Sequence, residues 1–412
     1  MSLCFSGNAL FFRPALMAPS PKESLARQLV LTLAFGTAAS VATIYLNQPL
    51  LPLLGRELHA TPHATGLLVT LTQIGYGLGI FGLVPLGDVV NKKKLILGKL
   101  AVLFVALVAA GFAQNMAALL LAHVVIGIFS TAAQDFVPLA ADLAPAERRG
   151  HVIGTVMGGL LLGILVSRTF SGLIAQHFGW RAVFFCAASV IASIAALVAL
   201  LVPSRPVAAR ATYGELMLST VKLLRTYPIL GLVTVTQGLL GLVFSAFWTI
   251  LAFHLSGEAF QLTTAQIGYF GLAGAAGAFA APFAGKLADR RGPFFNIPIA
   301  IGLTFASFVA MALLPASLVV LILGAVFFDL GVQMSMVSHQ SIVYALNPAA
   351  RSRMNGILVG GLFAFFALGS FVGNTLFLRY GWQGLTTFCL TSCACAYALH
   401  RWTRHVRDNP ER

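Results

Sequence analysis

Long apolar stretches recur along the whole chain. Twelve of them approach or exceed the roughly 20 residues that a membrane-spanning helix needs, and several are joined by loops too short to hold a domain. The sequence therefore predicts an all-α integral membrane protein with twelve transmembrane helices, here called spans 1 to 12. They cover residues 28–52, 65–87, 95–114, 116–142, 152–175, 182–202, 229–254, 265–288, 295–315, 317–346, 355–378 and 383–402.

Polar residues recur at helical spacing in every third span. Spans 1, 4, 7 and 10 each carry a polar stripe, whereas spans 3, 6, 9 and 12 hold only scattered Ser, Thr or Asn. Lipid offers no hydrogen bonds, so the stripes predict a polar path through the protein. The candidate cavity residues, which include Arg168 of span 5, are Thr43, Asn47, Gln48, His123, Gln134, Arg168, Gln237, Ser245, Trp248, Gln333 and Gln340.

Small residues recur four apart in spans 2, 5, 8 and 11, a spacing that lets helix backbones approach closely. These positions predict close contacts between helix backbones, and ordinary close packing explains any one helix without a moving part. The residues are Gly75 and Gly79, Gly159 and Gly163, Ala273 and Gly277, and Gly356 and Gly360.

Composition agrees with a membrane location. The 412 residues are 58% hydrophobic and only 9% charged, against about 25% charged in soluble domains. This argues against a soluble enzyme and against a nucleic-acid partner, despite the net charge of +14. All but four of the 26 lysines and arginines fall on one side if the N-terminus is cytoplasmic; the exceptions are Arg56, Arg168, Arg181 and Arg379. The positive-inside rule then predicts a multi-pass membrane protein with both termini in the cytoplasm.

The two halves of the chain resemble each other at an offset near 202. Pro85-Leu86-Gly87-Asp88 matches the stretch ending at Asp289, and Gly179-Trp180 matches Gly381-Trp382. We therefore predict two pseudo-symmetric six-helix halves, 27–202 and 229–403, joined by a cytoplasmic linker at 203–228. Residues 1–26 are expected to form a disordered cytoplasmic segment, and residues 404–412 a short cytoplasmic tail.

This six-plus-six plan, with acidic-basic loops after spans 2 and 8, resembles the major facilitator superfamily. Tyr45-Leu46-Asn47-Gln48-Pro49 and Thr70-Leu71-Thr72-Gln73 are similar to its bacterial drug/proton antiporters and sugar (arabinose) efflux permeases. The resemblance implies a major facilitator fold in a bacterial inner membrane, with a central cavity between spans 1, 4, 7 and 10. It also implies that spans 2, 5, 8 and 11 form the seam along which the two halves move. The sequence departs from the family at Asn91, because the loop after span 2 usually has Gly at this position. We expect Asn91 to adopt the left-handed turn conformation, which Asn tolerates better than most residues.

The same resemblance implies a cytoplasmic gate in which loop charges form a lock that holds one conformation and breaks in the other. Its members would be Asp88, Lys92, Lys93, Arg149, Asp289, Arg290, Arg291 and Arg353. We expect Arg149 and Arg353 to be the partners of the two aspartates. The alternative is that the basic residues serve only to orient the chain in the membrane.

Ionisable residues within the spans are functional candidates, because insertion of a charge at the bilayer centre costs at least about 2.5–3.5 kcal/mol. Asp329 lies near the middle of span 10 and is our main proton-coupling candidate; a carboxylate hydrogen-bonded within the bundle is the alternative. Asp135 either titrates or holds nearby Arg149. Arg168 either binds an anionic substrate or organises the span 4–5 seam, and Lys99 is expected to snorkel to the surface.

These features together predict a secondary transporter that works by alternating access, with proton-coupled efflux of a small organic solute. The sequence has no nucleotide-binding Gly-x-x-x-x-Gly-Lys motif and no zinc-protease or serine-hydrolase motif, so neither a cofactor, a metal nor an enzymatic activity is expected. The proton gradient is the expected energy source, and the expected partners are a small-molecule substrate and the lipid bilayer, with a monomeric protein. The alternatives are a facilitator or proton-coupled importer of sugars or organic anions, and a membrane-embedded lipid-handling protein or enzyme.

Overall fold

In the computed structural model, residues 21–204, 212–279, 287, 290–347 and 350–408 are described, and their regular structure is entirely helical. Helices occupy the predicted spans. Spans 1 to 3 are the helices Pro21–Ala42, Pro62–Leu83 and Lys92–Gly111, and span 4 consists of Met116–Ser130 followed by Ala132–Leu143. Spans 5 to 7 are Arg149–Phe178, Trp180–Leu201 and Pro228–Ser256, and spans 8 to 10 are Thr264–Phe279, Pro293–Leu313 and Leu318–Leu346. Spans 11 and 12 together form Arg351–Asp408.

Most of these helices can cross a membrane. Within the described residues, nine helical segments are long and apolar enough, and one of them, Arg353–Arg407, contains both span 11 and span 12. Span 1 contributes a shorter apolar helix, Arg27–Ala42, and span 8 is described only as far as Phe279. The architecture is therefore an all-helical membrane bundle.

Glycines at matched positions make the sharp turns between spans. Gly179 separates spans 5 and 6 with φ +81°, and Gly381 breaks the long helix between spans 11 and 12 with φ +63°. Side chains disfavour this backbone region, so glycine is the residue that fits. The expectation for Asn91 was wrong: its φ is −61°, and its side chain caps span 3 by accepting a bond from the Lys94 amide at 3.2 Å.

Span 1 is shorter than predicted, because its helix stops at Ala42 instead of continuing to residue 52. Turns follow over residues 43–47, then a short 3₁₀ turn at Gln48–Leu50 and a short helix, Leu51–Glu57. Pro49 and Pro52 cannot donate helical hydrogen bonds, which favours the break. Residues 43–50 are all buried, as non-helical backbone at membrane depth must be.

Span 4 is also interrupted, between Ser130 and Ala132. The Thr131 hydroxyl bonds back to the Ile128 carbonyl at 2.6 Å, and the Ser130 hydroxyl contacts that of Thr43 at 2.5 Å. Hydroxyls that bond to the preceding turn commonly bend helices. The breaks in spans 1 and 4 therefore meet.

The apolar core forms two large clusters, one within spans 1–6 and the other within spans 7–12 and the linker. A third, smaller cluster joins them: Tyr45, Tyr76 and neighbours from the first half pack against Leu362, Phe363 and Phe366 of span 11. We call the end of the bundle near Lys92, Arg149 and Arg353 the basic face, and the end near Glu57, Gly179 and Gly381 the opposite face.

The linker contains a helix that the sequence pattern did not predict, Tyr213–Thr226. It begins with a capping box in which the Thr212 and Glu215 side chains each bond to the other's backbone amide. The Tyr213 hydroxyl donates to the Gly82 carbonyl of span 2 at 2.8 Å, and Arg353 of span 11 donates to the Ser219 hydroxyl at 2.8 Å. This helix therefore bridges both halves at the basic face.

The seam between the halves uses Gly360 of the predicted glycines, together with glycines that were not predicted. Gly159 and Gly163 pack against Ala34 and Ala38 of span 1, and Gly75 and Gly79 against the backbone of span 4, all within the first half. Between the halves, spans 5 and 8 meet at Gly172 and Gly268, and spans 2 and 11 meet where Phe81 covers Gly360. The pairing of spans was right, but Gly75, Gly79, Gly159 and Gly163 pack within the first half and not at the seam.

Candidate substrate site between the two halves

Trp248 of span 7 lies between two buried charges that come from different halves. The Arg168 guanidinium of span 5 lies 4.2 Å from the centre of its indole ring. The indole Nε1 donates to Oδ1 of Asp329 in span 10 at 3.2 Å. Arg168 is 3% exposed and Asp329 is 7% exposed, so the protein holds a basic and an acidic side chain at the interface of its halves.

The broken part of span 1 and the preceding turn of span 5 supply the other partners of Arg168. Its Nε donates to Gln48 Oε1 at 2.6 Å, and its Nη1 donates to the carbonyl of Ile164, one turn earlier, at 3.2 Å. The Tyr45 ring centre lies 4.8 Å from the guanidinium carbon. A cation over aromatic faces gains up to about 2 kcal/mol when it is desolvated, so these rings offset part of the cost of burial.

A network of uncharged hydrogen bonds joins the halves beside this site. The Gln73 amide of span 2 donates to the Ser245 hydroxyl of span 7 at 2.9 Å. Thr70 of span 2 and Thr249 of span 7 both donate to the Ser370 hydroxyl of span 11, at 3.0 and 3.2 Å. All of these groups are buried. They close the opposite face, from the middle of the bundle outward.

A second buried polar cluster lies within the second half. The Gln237 carbonyl oxygen of span 7 lies 2.7 Å from the Ser335 hydroxyl and 3.0 Å from Nδ1 of His339, both on span 10. The polar stripe of span 10 therefore faces span 7 through Asp329, Ser335 and His339. Gln333, placed on that stripe from the sequence, is only half-buried, and Gln340 bonds instead to Asn355 of span 11 at 3.3 Å.

Several predicted cavity residues lie within the first half. His123 was predicted to line the cavity, but it belongs to the core of the first half. Its Nδ1 contacts the Leu119 carbonyl at 2.8 Å, and its ring packs edge-on against Phe184 of span 6. Asn47 donates to the Thr72 hydroxyl of span 2 at 3.2 Å. Gln134 donates to the Tyr76 hydroxyl at 2.9 Å.

Asp135 has a partner other than Arg149. Its carboxylate accepts from Nζ of Lys99 at 2.5 Å, and the two side chains are 3% and 2% exposed. Lys99 therefore does not snorkel, because a buried carboxylate from span 4 meets it inside the bundle. Arg149 is exposed. A pair this deeply buried is stable only while both members are present.

The charged lock at the basic face also differs from the expectation. Asp88 is exposed at the rim of a cavity of about 90 Å³, bordered by Gln134, Asp135 and Arg353. Lys92 pairs with Asp142 of span 4 at 2.5 Å, and Lys93 donates to the Ala199 carbonyl of span 6 at 2.8 Å. These contacts lie within the first half, so they do not lock it to the second.

The matching loop of the second half is only partly described. Asp289 lies outside the described residues. Arg290 is exposed, and Arg291 lies 5.1 Å from the ring centre of Phe295. Arg353, expected to pair with an aspartate, donates to the Ser219 hydroxyl of the linker helix. The bridge between the halves here runs through the linker.

Sequence reasoning did not select four of the residues that complete these clusters: Tyr45, Gln73, Ser335 and His339. Tyr45 and Gln73 stand inside the two stretches that resemble efflux transporters, and this was the signal that could have found them. In the described residues there is no group of three or more His, Cys, Asp or Glu side chains able to hold a metal ion.

Comparison with known proteins agrees with this architecture. Residues 33–346 match the Major Facilitator Superfamily. The chain is 34% identical to the uncharacterized transporter YgaY of Escherichia coli O157:H7, over 91% of this chain and 95% of the relative. It is 27% identical to the multidrug resistance protein MdtG of Proteus mirabilis, over 81% and 85%.

The fold also matches that of a solved transporter. A bacterial homologue of the human lysosomal transporter Spinster, in an inward-facing and unoccupied conformation, superposes with a TM-score of 0.76 at 14% identity, covering 94% of this chain and 98% of that chain. The sequence match, the helical bundle and the polar interface between its halves lead to one conclusion. This chain belongs to the Major Facilitator Superfamily of membrane transporters.

Proposed function

We propose that this transporter exports a small organic solute from a bacterial cytoplasm, driven by the inward flow of protons. Asp329 carries the proposal. It is a carboxylate buried between the halves and held by Trp248 at 3.2 Å, and Trp248 is also the residue that Arg168 of the other half covers. A proton taken up by Asp329 changes the charge at the contact that closes the opposite face. This is a physical means of coupling protonation to the movement of the halves.

The direction of transport rests on the relatives and on charge. MdtG, the relative from Proteus mirabilis, is named a multidrug resistance protein, which supports export. The basic face carries most of the lysines and arginines and is assigned to the cytoplasm by the positive-inside rule. The closed opposite face then corresponds to a conformation that is shut toward the outside.

The test is a growth-inhibition panel of drugs, sugars and organic acids in a bacterial host stripped of its own exporters. We expect the wild-type chain to protect against at least one class of compound, and Asp329→Asn to lose that protection at equal membrane abundance. Glu258→Gln is the matched control, because Glu258 is an exposed carboxylate in the loop between spans 7 and 8. Full protection by Asp329→Asn would remove Asp329 from the mechanism; accumulation of a solute inside cells would replace export with uptake.

A further inference from the structure

Two hydrogen-bond donors lie unused next to each other at the centre of the site. Arg168 Nη2 and Gln48 Nε2 are both buried, and among the described residues neither has a hydrogen-bond partner. The orientation of the Gln48 amide follows from chemistry: Arg168 Nε can only donate, so Gln48 must turn its oxygen toward it and its nitrogen away. Leaving a buried donor unpaired is costly, so two adjacent ones indicate that something else pairs with them.

The positive charge of Arg168 also lacks a direct ion-pair partner among the described residues. No carboxylate of the described residues lies within 4.0 Å of its guanidinium nitrogens, since the ion pairs found there involve Lys92, Lys99 and Arg181. Asp329 lies beyond the indole of Trp248, which it binds through Nε1. By contrast, the other deeply buried cation, Lys99, has a carboxylate at 2.5 Å. A buried cation without a carboxylate in direct contact is unfavourable, and an anionic ligand would supply that contact.

The shape of the site restricts that ligand. Tyr45 and Trp248 lie over the guanidinium, and Nε and Nη1 are already bonded, so the ligand must approach in the plane of the group at Nη2. A carboxylate is planar and accepts two parallel bonds from a guanidinium edge and a neighbouring N–H. The ring of Trp248 and the side chains of Leu251 and Ile267 border the same space and offer an apolar wall to the rest of the molecule.

We infer that Arg168 and Gln48 form a carboxylate-binding subsite, so that the substrates of this transporter include organic acids with an apolar body. This inference rests on the proposed transport function and adds a substrate class to it. In the conformation seen here the space beside the two donors is about 10 Å³, which admits about one water molecule. A carboxylate therefore enters when the halves separate at Trp248, as the transport cycle requires.

The test is ligand-induced stabilisation of the purified full-length chain against thermal unfolding. The probes are acetate, benzoate, benzamide and benzylamine, which separate charge from shape. Because a ligand stabilises the folded state that it binds, we expect benzoate to raise the Tm in a saturable manner, and benzamide and benzylamine to have no such effect. Equal shifts with benzoate and benzamide, or no shift with either carboxylate, would overturn the inference.

Variants assign the effect to the subsite. We expect Arg168→Gln to abolish the benzoate shift, and Arg168→Lys to weaken benzoate about tenfold, because lysine keeps the charge but loses the planar fork. Arg181→Gln is the control, since Arg181 is a half-exposed arginine that lies 4.3 Å from the ring centre of Trp180. A benzoate shift that survives Arg168→Gln would contradict the assignment.

A further variant tests the subsite without changing Arg168, so that its result does not depend on whether the arginine variants fold. Gln48→Glu places a carboxylate beside Arg168 permanently. We expect it to raise the Tm without ligand and to remove the response to benzoate, because the built-in carboxylate takes the place of the ligand's. A lower Tm together with an intact benzoate response would refute the subsite.

The outcomes for subsite and transport are separable. A chain that binds benzoate but protects cells against nothing would refute the export function and leave the subsite standing. A chain that exports neutral or cationic compounds without any benzoate response would refute the subsite and leave the export function standing.

Discussion

Arg168 and Lys99 show two ways in which this protein holds a cation inside the membrane. Lys99 is matched by Asp135 within the first half, in an ion pair that both side chains bury almost completely. Arg168 is held by Gln48, by a backbone carbonyl and by two aromatic rings, one of which belongs to the other half. Lys99 keeps its partner when the halves move relative to each other, because both residues belong to the first half. Arg168 loses its contact with Trp248 when the halves separate.

At the residue scale, we expect the Lys99–Asp135 pair to be stabilising only as a pair. Either Lys99→Met or Asp135→Leu leaves a buried charge alone and should cost about 3–5 kcal/mol, whereas the double variant should cost less than either single change. Thermal unfolding of the purified variants measures this. The exposed pair Lys92–Asp142, whose side chains are 22% and 52% exposed, is the control and should contribute at most about 1 kcal/mol. A double variant whose loss of unfolding free energy equals the sum of the losses in the two single variants would contradict the prediction.

Among the elements, the breaks in spans 1 and 4 matter most for the site. If span 1 continued as a helix beyond Ala42, successive side chains would rotate by about 100° each. The turns at 43–47 instead bring Tyr45, Gln48 and the Leu46 carbonyl toward span 5, where Ser171 donates to that carbonyl at 2.6 Å. Discontinuous spans mark the binding regions of many transporters. The break here places the ligand-facing side chains.

Spans 5 and 8 provide the element-scale prediction. A Cβ on Gly172 would lie 2.6 Å from the Thr264 carbonyl oxygen, whereas one on Gly158 of the same span would meet nothing within 4 Å. Gly172→Val should therefore force the halves apart at the opposite face. Overpacking costs about 1–3 kcal/mol, which corresponds to an opening about 5–150 times more frequent.

Thiol labelling of the Thr249→Cys variant measures that opening, because Thr249 is fully buried between the halves. We expect faster labelling with Gly172→Val and an unchanged rate with Gly158→Val. Equal labelling in the two backgrounds would show that Gly172 does not control closure.

For the molecule as a whole, the contacts between halves are unevenly distributed. Hydroxyl, amide and glycine contacts join them from the middle of the bundle to the opposite face, with Asn374 of span 11 reaching the carbonyls of Pro62 and His63 at the far end. At the basic face, the linker helix and a cavity of about 90 Å³ lie between them. This asymmetry is what alternating access requires of one end state.

Topology is the prediction at this scale. In a cysteine-free background, we expect Glu258→Cys, in the loop at the opposite face, to react with a membrane-impermeant thiol reagent in intact cells. Arg225→Cys, on the exposed side of the linker helix, should react only after the membrane is broken. The reverse pattern would invert the orientation and with it the direction assigned to transport.

The sequence by itself determined the all-helical membrane class and the position of most apolar helices, because each must supply enough apolar residues to cross the bilayer. It also determined the internal repeat, since Gly179 and Gly381 need the same rare backbone conformation at matched turns. Asp329, Trp248, Gln48 and Arg168 were recognisable one by one, because polar side chains at membrane depth stand out against an apolar background.

Only the tertiary structure decided which of these residues meet. Lys99 and Asp135 are 36 positions apart and Arg168 and Gln48 are 120 apart, and no helical periodicity relates residues on different helices. The rotation of each helix about its axis follows from packing against several neighbours at once. That rotation places His123 in the core and packs Gly159 and Gly163 against span 1. It also brings Arg168 over the ring of Trp248 and Asp329 to its indole N–H.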